Sequence, residues 1–217
     1  MGLRINDIAP DFRADSSEGK ISFHDWIGDN YAVLFSHPKD FTPVCTTEFG
    51  AVTQLAEEFA ARGAKPIGVS VDSVEEHIKW KSDVEGFSGA PMTFPILDDT
   101  SLNIAKLYDM LPAEAYLPDG RTAAETAAVR TTFIIGPDKK IRAMIIYPMT
   151  VGRNFDEILR ALDAIQLTDS APVATPANWQ VGDDVIVVTS LNDDEARAQF
   201  GEIDIKLPYL RLAKSPK

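Results

Sequence analysis

The stretch HPKDFTPVCTTE, residues 37–48, contains Cys45, the single cysteine among 217 residues. It overlaps the end of YAVLFSH (31–37), a short apolar run that predicts a buried β-strand. After Cys45, apolar residues recur at helical spacing, which predicts a helix that Gly63 ends. The thiol therefore lies where a strand passes, through a loop containing Pro38 and Pro43, into the first turn of a helix.

Strands and helices alternate along the rest of the first three quarters of the chain. Ser73 and Glu76 have the spacing of a capping box at the start of another helix. The order predicts an α/β fold, a thioredoxin-like mixed sheet flanked by helices, with a small C-terminal domain. The further predicted elements are strands at 64–72 and 93–99, a helix at 100–110, a hairpin at 130–148 and a helix at 155–167 begun by Asn154.

The sequence changes character after Leu167. TDSAPVATPANW (168–179) has the small residues and prolines of a linker. Beyond it, DDVIVV and YLRLAK predict strands around a short acidic helix, NDDEARAQF. We expect a domain at 1–167 and a small C-terminal domain at 168–217. About fifty residues is marginal for independent stability, so the small domain is expected to lie in a dimer interface or on the core.

Composition excludes several classes of function. A net charge of -12 opposes binding to a phosphate backbone, so no nucleic-acid partner is expected. No apolar run reaches membrane-spanning length, and the first residues lack a secretory signal, so a cytoplasmic protein without a membrane partner is expected. One cysteine and three histidines without short ligand spacing predict no internal disulfide, no metal and no cofactor.

A lone cysteine is more often a small buried hydrophobe than a nucleophile. The position of Cys45 favours the second interpretation. Unpaired N–H groups and the helix dipole at a helix N-terminus stabilise a thiolate. Thr42 places a hydroxyl one turn before the sulfur, where it could hydrogen-bond to a group that meets the thiolate.

The stretch PKDFTPVC fits the P-x-x-x-T-x-x-C signature of the peroxiredoxins, and HPKDFTPVCTTE resembles their one-cysteine, peroxiredoxin-six-type branch. The resemblance extends over nearly the whole chain. It includes RTTFIIGPDKKIR, YPMTVGRNFDEILR, IQLTDSAPVATPANWQVGDDVIV and the closing YLRL.

The resemblance implies a thiol peroxidase with a thioredoxin-like domain at 1–167, acting on hydrogen peroxide and alkyl hydroperoxides. Cys45 is then the peroxidatic cysteine, and Pro38, Thr42 and Arg130 complete the catalytic set. We expect Cys45 to present an anionic sulfur at the mouth of a pocket. Arg130 would stabilise the negative charge that develops as the O–O bond breaks, because guanidinium stays charged and offers several donors.

Three further residues match supporting positions of the branch. Glu48 is expected to orient an active-site arginine, or else to complement the helix dipole. Arg153 matches a second arginine near the site, or is a loop charge. His37 either tunes catalysis or is a satisfied structural histidine. His77 and the acidic clusters, including Asp98–Asp99, are expected to be solvated.

The chain has no second cysteine to resolve a sulfenic acid, so the reductant must be an external thiol or thiol protein. Glutathione with a transferase partner is one route known in the branch. Excess peroxide is expected to inactivate the protein by oxidising Cys45 further. The branch also implies a homo-oligomer, either a dimer or a larger ring.

Animal relatives carry a lipase-like G-x-S-x-G motif, which here reads GDNYA (28–32). Asn30 occupies the serine position, whereas His24 and Asp138 match the other two partners. Without a hydroxyl nucleophile, no phospholipase activity is expected.

Two other functions remain open from the sequence. The first is a peroxide sensor or holdase chaperone that Cys45 oxidation switches. The second is a cysteine hydrolase using Cys45 and His37, for which no orienting acid or oxyanion site is evident. Turnover with a supplied thiol distinguishes a peroxidase from a sensor.

Overall fold

The computed structural model describes residues 2–116 and 126–216. By internal packing the chain divides into two compact units, Met1–Phe155 and Asp156–Lys217. The boundary predicted at 167 falls inside a helix, Phe155–Ser170, nearly all of which belongs to the second unit. Apolar periodicity located this helix but could not assign it to either unit.

The first unit alternates strands and helices, as the sequence predicts. Its elements are β1 (Arg13–Ser16), β2 (Gly19–Ser22), α1 (Phe23–Ile27), β3 (Tyr31–Ser36), α2 (Pro43–Gln54), α3 (Ala56–Ala61), β4 (Ala64–Ser70), α4 (Val74–Ser88), β5 (Ile96–Asp98), α5 (Asn103–Leu107), a 3₁₀ turn (Ala113–Tyr116), β6 (Arg130–Ile135) and β7 (Ile141–Tyr147).

Seven strands form one mixed sheet in the order β2-β1-β5-β4-β3-β6-β7. β3, β4 and β5 are parallel, and β6 and β7 continue the sheet antiparallel beside β3. β3 is central, with Leu34 opposite Ile67 on one side and Phe133 on the other. The prediction of a mixed sheet with flanking helices is confirmed. Because β3 and β6 are antiparallel neighbours, the last residues of β3 and the first residues of β6 lie at the same end of the sheet.

The helix predicted from Cys45 to Gly63 is instead two helices. Leu55, with φ −92° and ψ 8°, separates α2 from α3. The first of them begins at Pro43 rather than at Cys45, because proline suits the first helical position, where its missing N–H costs no hydrogen bond. Cys45 is therefore the third residue of α2.

The predicted capping box of α4 is confirmed. The Ser73 hydroxyl accepts a hydrogen bond from the Glu76 N–H, and the Glu76 carboxylate accepts one from the Ser73 N–H. This cap fixes the start of the helix that carries His77 and Trp80.

The second unit contains α6 (Phe155–Ser170), of which the first residue belongs to the first unit, and a small antiparallel sheet. Its strands follow the order β10-β11-β9-β8, from β8 (Val173–Ala174), β9 (Val185–Val187), β10 (Ile203–Leu207) and β11 (Leu210–Ala213). Asn192 caps α7 (Asp193–Phe200), the predicted acidic helix. The segment predicted as a linker contains the end of α6 and all of β8. Within the described residues, no helix is both long and apolar enough to cross a membrane.

Candidate active site

Cys45 lies in the first turn of α2. Thr42 is the N-cap residue, with an extended backbone at φ −117° and ψ 147°, but its side chain makes no capping hydrogen bond. The Thr42 hydroxyl instead donates to the Lys39 carbonyl at 2.9 Å. The N–H groups of the first turn are therefore not occupied by this side chain, and the positive end of the helix dipole lies beside the sulfur.

Arg130 places a charged group in contact with the thiol. It is the first residue of β6, which pairs with β3, and it is buried. Its Nη1 lies 3.4 Å from Cys45 Sγ and its Nε donates to the Met149 carbonyl at 2.8 Å. The guanidinium is thus held at both ends, with one nitrogen directed at the sulfur.

Glu48, one helical turn after Cys45, joins two arginines. Its Oε2 accepts from Arg130 Nη1 and from Arg153 Nη2, each at 2.7 Å. Its Oε1 accepts from the Arg153 backbone N–H at 2.8 Å and from Arg153 Nε at 2.9 Å. Burial alone would raise the pKa of Glu48, but the hydrogen bonds and charge of Arg153, with the charge of Arg130, outweigh it and hold that pKa below its ordinary value.

Arg153 is fixed by contacts beyond Glu48. Its Nη1 donates to the Thr131 carbonyl at 3.1 Å and to Thr132 Oγ1 at 3.2 Å. Its guanidinium also lies 5.3 Å from the centre of the Phe35 ring. Two guanidiniums and one carboxylate leave one positive charge near Cys45, which an ionised sulfur would neutralise.

The sulfur does not lie at the mouth of a pocket, contrary to expectation. The Cys45 side chain is 0% exposed. The segment after β7 lies against the start of α2, since the Met149 carbonyl binds Arg130 and the Arg153 backbone binds Glu48. These contacts join the segment to the same arginine and carboxylate that surround the sulfur, so the Cys45 side of α2 is enclosed.

A second buried polar cluster anchors the loop that precedes Cys45. His37 Nε2 lies 2.7 Å from Asp40 Oδ1, and His77 Nδ1 lies 2.6 Å from Asp40 Oδ2. His77 Nε2 lies 3.1 Å from the Leu97 carbonyl of β5. His77 is 0% exposed, so the expectation that it is solvated is wrong. The polar sequence around it on α4 hid its burial.

Asp72 completes this cluster. Its Oδ2 accepts from the Asp40 backbone N–H and from the Ser70 hydroxyl, each at 2.8 Å. Burial would raise the pKa of Asp40, but its hydrogen bonds from both histidines lower that pKa to about 2. Burial lowers the pKa of His37 further than Asp40 raises it. Ligand atoms of His37, Asp40 and Asp72 lie within 4.8 Å of one another, but His37 Nε2 and both carboxylates are engaged in protein hydrogen bonds, so we interpret the three residues as a hydrogen-bonded cluster.

The loop between His37 and Thr42 is held in an unusual conformation. Pro38 is half-buried, and Phe41 has a positive φ of 55° with its ring 53% exposed. A bulky residue adopts this backbone region only where the surrounding structure imposes it. The hydrogen bonds of Asp40 supply that constraint. In the sequence, the one local sign of the contact between Asp40 and His37 is their spacing of three residues.

Asp99, also expected to be solvated, is buried and accepts hydrogen bonds from the Ile104 and Ala105 N–H groups at the start of α5. Burial raises the pKa of Asp99 despite these bonds. Its role is to cap a short helix, which the polar DD pair did not reveal.

The lipase-like positions bind separate partners. Asn30 Nδ2 donates to the Ile27 carbonyl at 3.1 Å, and His24 Nε2 lies 2.7 Å from the Ala9 carbonyl. Asp138 accepts from Arg142 Nη2 at 3.1 Å. Each of the three is thus engaged in a local contact.

Comparisons with known proteins give matches along most of the chain. The AhpC/TSA family model matches residues 5–144, and the model of the C-terminal domain of 1-Cys peroxiredoxin matches residues 164–202. Peroxiredoxin PRX1, mitochondrial, from Saccharomyces cerevisiae is 51% identical over 214 residues, 98% of this chain and 81% of the relative. Peroxiredoxin-6 from Mus musculus is 47% identical over 226 residues, with 99% of each chain covered.

Two solved structures have the same fold. The C45S mutant of the peroxiredoxin 6 of Arenicola marina superposes with a TM-score of 0.92 at 45% identity and covers 100% of both chains. The yeast mitochondrial 1-Cys peroxiredoxin, solved to explain thiol resolution via glutathione and thioredoxin systems, has a TM-score of 0.88 at 50% identity. It covers 98% of this chain and 100% of its own.

Proposed function

The chain belongs to the AhpC/TSA family, in its one-cysteine peroxiredoxin branch, and is a thiol peroxidase; from this premise we propose that Cys45 is the sulfur that attacks the peroxide. The observation that supports this most directly is the 3.4 Å contact between Arg130 Nη1 and Cys45 Sγ. It joins the single thiol of the chain to a buried, permanent positive charge.

The proposed step transfers one oxygen to sulfur. The Cys45 thiolate attacks the terminal oxygen of R–O–O–H, an S–O bond forms and the O–O bond breaks. Cys45 becomes the sulfenic acid S–O–H, and RO⁻ leaves and takes a proton to become water or an alcohol. Negative charge moves from sulfur onto the leaving oxygen. Arg130, which touches the sulfur, is placed to stabilise this charge as it spreads in the transition state.

Thr42 and His37 take the role of acceptors in this proposal, one for each O–H of hydrogen peroxide, whereas an alkyl hydroperoxide has a single O–H and engages one of them. The Thr42 hydroxyl hydrogen is engaged by the Lys39 carbonyl, so its oxygen lone pairs remain for the O–H of the peroxide. Pro38 limits the conformations of the loop between the two residues. Glu48 and Arg153 position Arg130 and do not themselves need to touch the substrate.

A peroxide reaches this sulfur only after local movement, because the Cys45 side chain is enclosed. Among the described residues, the segment around Met149 and Arg153 contacts the Arg130 and Glu48 side chains beside the sulfur, and the loop around Phe41 leads into α2, so these two parts are the ones we expect to move. We expect small hydroperoxides to react faster than bulky ones. Rates measured with hydrogen peroxide, tert-butyl hydroperoxide and cumene hydroperoxide test this, and equal rates contradict it.

Thiol recycling completes the proposed cycle. The sulfenic acid and a thiol R′SH condense to a mixed disulfide and water, and a second thiol releases Cys45 and R′S–SR′. The chain supplies no second cysteine, so both thiols come from outside. The structure of the yeast relative was solved to explain its thiol resolution via glutathione and thioredoxin systems, and we propose the same two classes of donor for this chain. A turnover assay with dithiothreitol, glutathione, thioredoxin and ascorbate decides among them.

The central test compares the wild-type chain with Cys45→Ser. Wild type is expected to consume peroxide through many turnovers with a supplied thiol, and the variant to consume none. Reaction of wild type with one equivalent of peroxide and no further turnover with any donor would instead support a sensor or holdase. Intact-mass spectra during a peroxide titration should show one added oxygen and then two, the second accompanying loss of activity.

Assembly and location are also proposals. β7 is an edge strand of the large sheet, and Ile146 on it is 63% exposed. An exposed strand edge with an apolar side chain is suited to pairing with a second copy, so we propose a homodimer, or a larger ring. Light scattering after size exclusion tests this, and a monomer at micromolar concentration contradicts it. The absence of any possible internal disulfide supports a cytoplasmic location, which cell fractionation tests.

A further inference from the structure

The chain has one buried histidine whose two ring nitrogens both face acceptors. His77 Nε2 lies 3.1 Å from the Leu97 carbonyl, which has no hydrogen to give, so Nε2 must carry one. His77 Nδ1 lies 2.6 Å from Asp40 Oδ2. If Asp40 is ionised, Nδ1 must also carry a hydrogen, and the His77 ring is then a cation.

His37 has the opposite arrangement. Its Nε2 lies 2.7 Å from Asp40 Oδ1 and donates to it. Its Nδ1 is buried and has no hydrogen-bond partner among the residues that the structure describes. A buried N–H left without a partner is destabilising, so the arrangement favours a neutral ring with a free lone pair at Nδ1. The two histidines thus share one carboxylate, with the charge on His77.

The charged groups described around His37 come from α4 and from two loops. The loop before α2 contributes Asp40, the loop before α4 contributes Asp72, and α4 contributes His77. α2 presents the Phe49 ring at 4.5 Å, and the Trp80 ring of α4 stacks on His37 at 5.2 Å. Two carboxylates and one imidazolium give the cluster a charge of minus one. Loss of the imidazolium would leave minus two, which draws a proton to His37.

His37 also lies beside the first turns of α2. Phe49, which touches its ring, is one turn beyond Cys45 on that helix. Trp80 Nε1 donates to the hydroxyl of Thr46, the neighbour of Cys45, at 3.2 Å. The His37 ring therefore lies beside the helix that carries the thiol, and its Nδ1 keeps a free lone pair.

We propose that His77 is a positioning residue of the peroxide reaction, which keeps His37 in the neutral form whose Nδ1 accepts the hydroxyl hydrogen of a bound hydroperoxide. This inference rests on the proposed function of Cys45. His77 does not touch the substrate. It acts through Asp40, which it neutralises and fixes, and so sets the protonation state of His37.

The first experiment uses the ring ¹⁵N resonances of the full-length wild-type chain between about pH 5 and pH 8, where histidines titrate. The chain has three histidines, so their assignment needs only His24→Asn and His77→Asn. Wild type should show His77 protonated at both nitrogens and His37 protonated at Nε2 alone. A bare ring nitrogen on His77, or a doubly protonated His37 throughout, overturns the proposal; this readout is taken on the wild-type chain, and the two variants serve only for assignment.

The second experiment measures the peroxide reaction of Cys45 against pH by stopped flow. Asn can donate to Asp40 from the position of Nδ1 but carries no charge, so His77→Asn removes the cation and keeps the contact. We expect its rate to fall about tenfold at about pH 6, as His37 takes up a proton, and to approach the wild-type rate at high pH. His24→Asn, outside the cluster, should follow wild type throughout.

Each outcome has one meaning. An equal loss of rate at every pH indicates a merely structural role and overturns the proposal, as does an unchanged profile. A wild-type chain that does not react with peroxide at any pH removes the proposed function itself, together with this inference. A reactive wild type with an unaltered His77→Asn profile removes only the inference.

Discussion

Glu48→Gln separates two effects that the active site combines, namely the charge around the thiol and the position of Arg130. Wild-type Glu48 accepts four hydrogen bonds, three from Arg153 and one from Arg130. Glutamine has nearly the same shape, but its NH₂ cannot accept from a guanidinium. With the amide oxygen kept toward the Arg153 backbone, the NH₂ group faces Arg130 Nη1, and Arg130 loses its anchor.

General energetics give the size of each effect. Breaking a buried ion pair by removing one partner costs about 3–5 kcal/mol of folding free energy, because the remaining charges stay buried. Removal of a donor that stabilises transition-state charge slows a reaction by about 10²–10³-fold. The net charge of the site meanwhile rises by one, which favours the thiolate. Charge alone would therefore speed the reaction with peroxide, whereas misplacement of Arg130 would slow it.

Two rates measured on the same variant decide between these effects. We expect the peroxide reaction of Glu48→Gln to slow about 100-fold, while alkylation of Cys45 by iodoacetamide, which needs a thiolate but no aligned arginine, does not slow. Glu58→Gln, which removes an exposed pair with Arg62, is the matched control and should change stability by less than about 1 kcal/mol. Equal changes in both rates, or none in either, would refute the argument that Glu48 acts by placing Arg130.

Three other outcomes are expected. Asp40→Asn should lose at least about 2 kcal/mol of stability at neutral pH, since the pKa of Asp40 lies at about 2 rather than 3.8. That stabilisation is complete above about pH 3.8 and lost as the pH falls through 2, so in urea unfolding the two chains should converge at low pH. Gly68→Ala should lower the free energy of unfolding by about 1–3 kcal/mol, because the new Cβ would lie 2.7 Å from Phe49 Cζ. Gly86 is exposed in α4 with open space around it, so Gly86→Ala should raise the free energy of unfolding by up to about 1 kcal/mol. Similar shifts in melting temperature for the two variants would contradict this. The pure chain should show no phospholipid hydrolysis that serine reagents block, because Asn30 has no hydroxyl; sensitive hydrolysis would contradict this.

Local signals in the sequence located most elements of the first unit. The Ser73 capping box, the apolar run of β3 and the β6–β7 hairpin depend on residues close together in the chain, so their patterns predict them directly. The N-terminal hairpin of β1 and β2 was missed. Its four-residue strands, RADS and GKIS, are mostly polar and lack an apolar alternation that would reveal them.

The candidate site was predicted through Cys45, Glu48, Arg130 and Arg153, whose contacts the structure then supplies. The role of His77 was not predictable in the same way. It sits among acidic residues on α4, and its partner Asp40 lies 37 positions earlier, so only the fold brings the two together. The burial of Cys45 likewise depends on a segment about a hundred residues later in the chain, which no local pattern describes.

The enclosure of Cys45 has a consequence for the time between the two halves of the cycle. A chain without a resolving thiol must store its oxidised sulfur until a donor arrives by diffusion. The segment around Met149 and Arg153, which encloses the Cys45 side of α2, prolongs the lifetime of the sulfenic acid, since it shields this group from a second peroxide as well as from unrelated thiols. The rate of reaction with peroxide then depends on the fraction of molecules in which this segment is open. Variants that loosen the Met149 segment should therefore react faster with peroxide and be inactivated sooner by overoxidation.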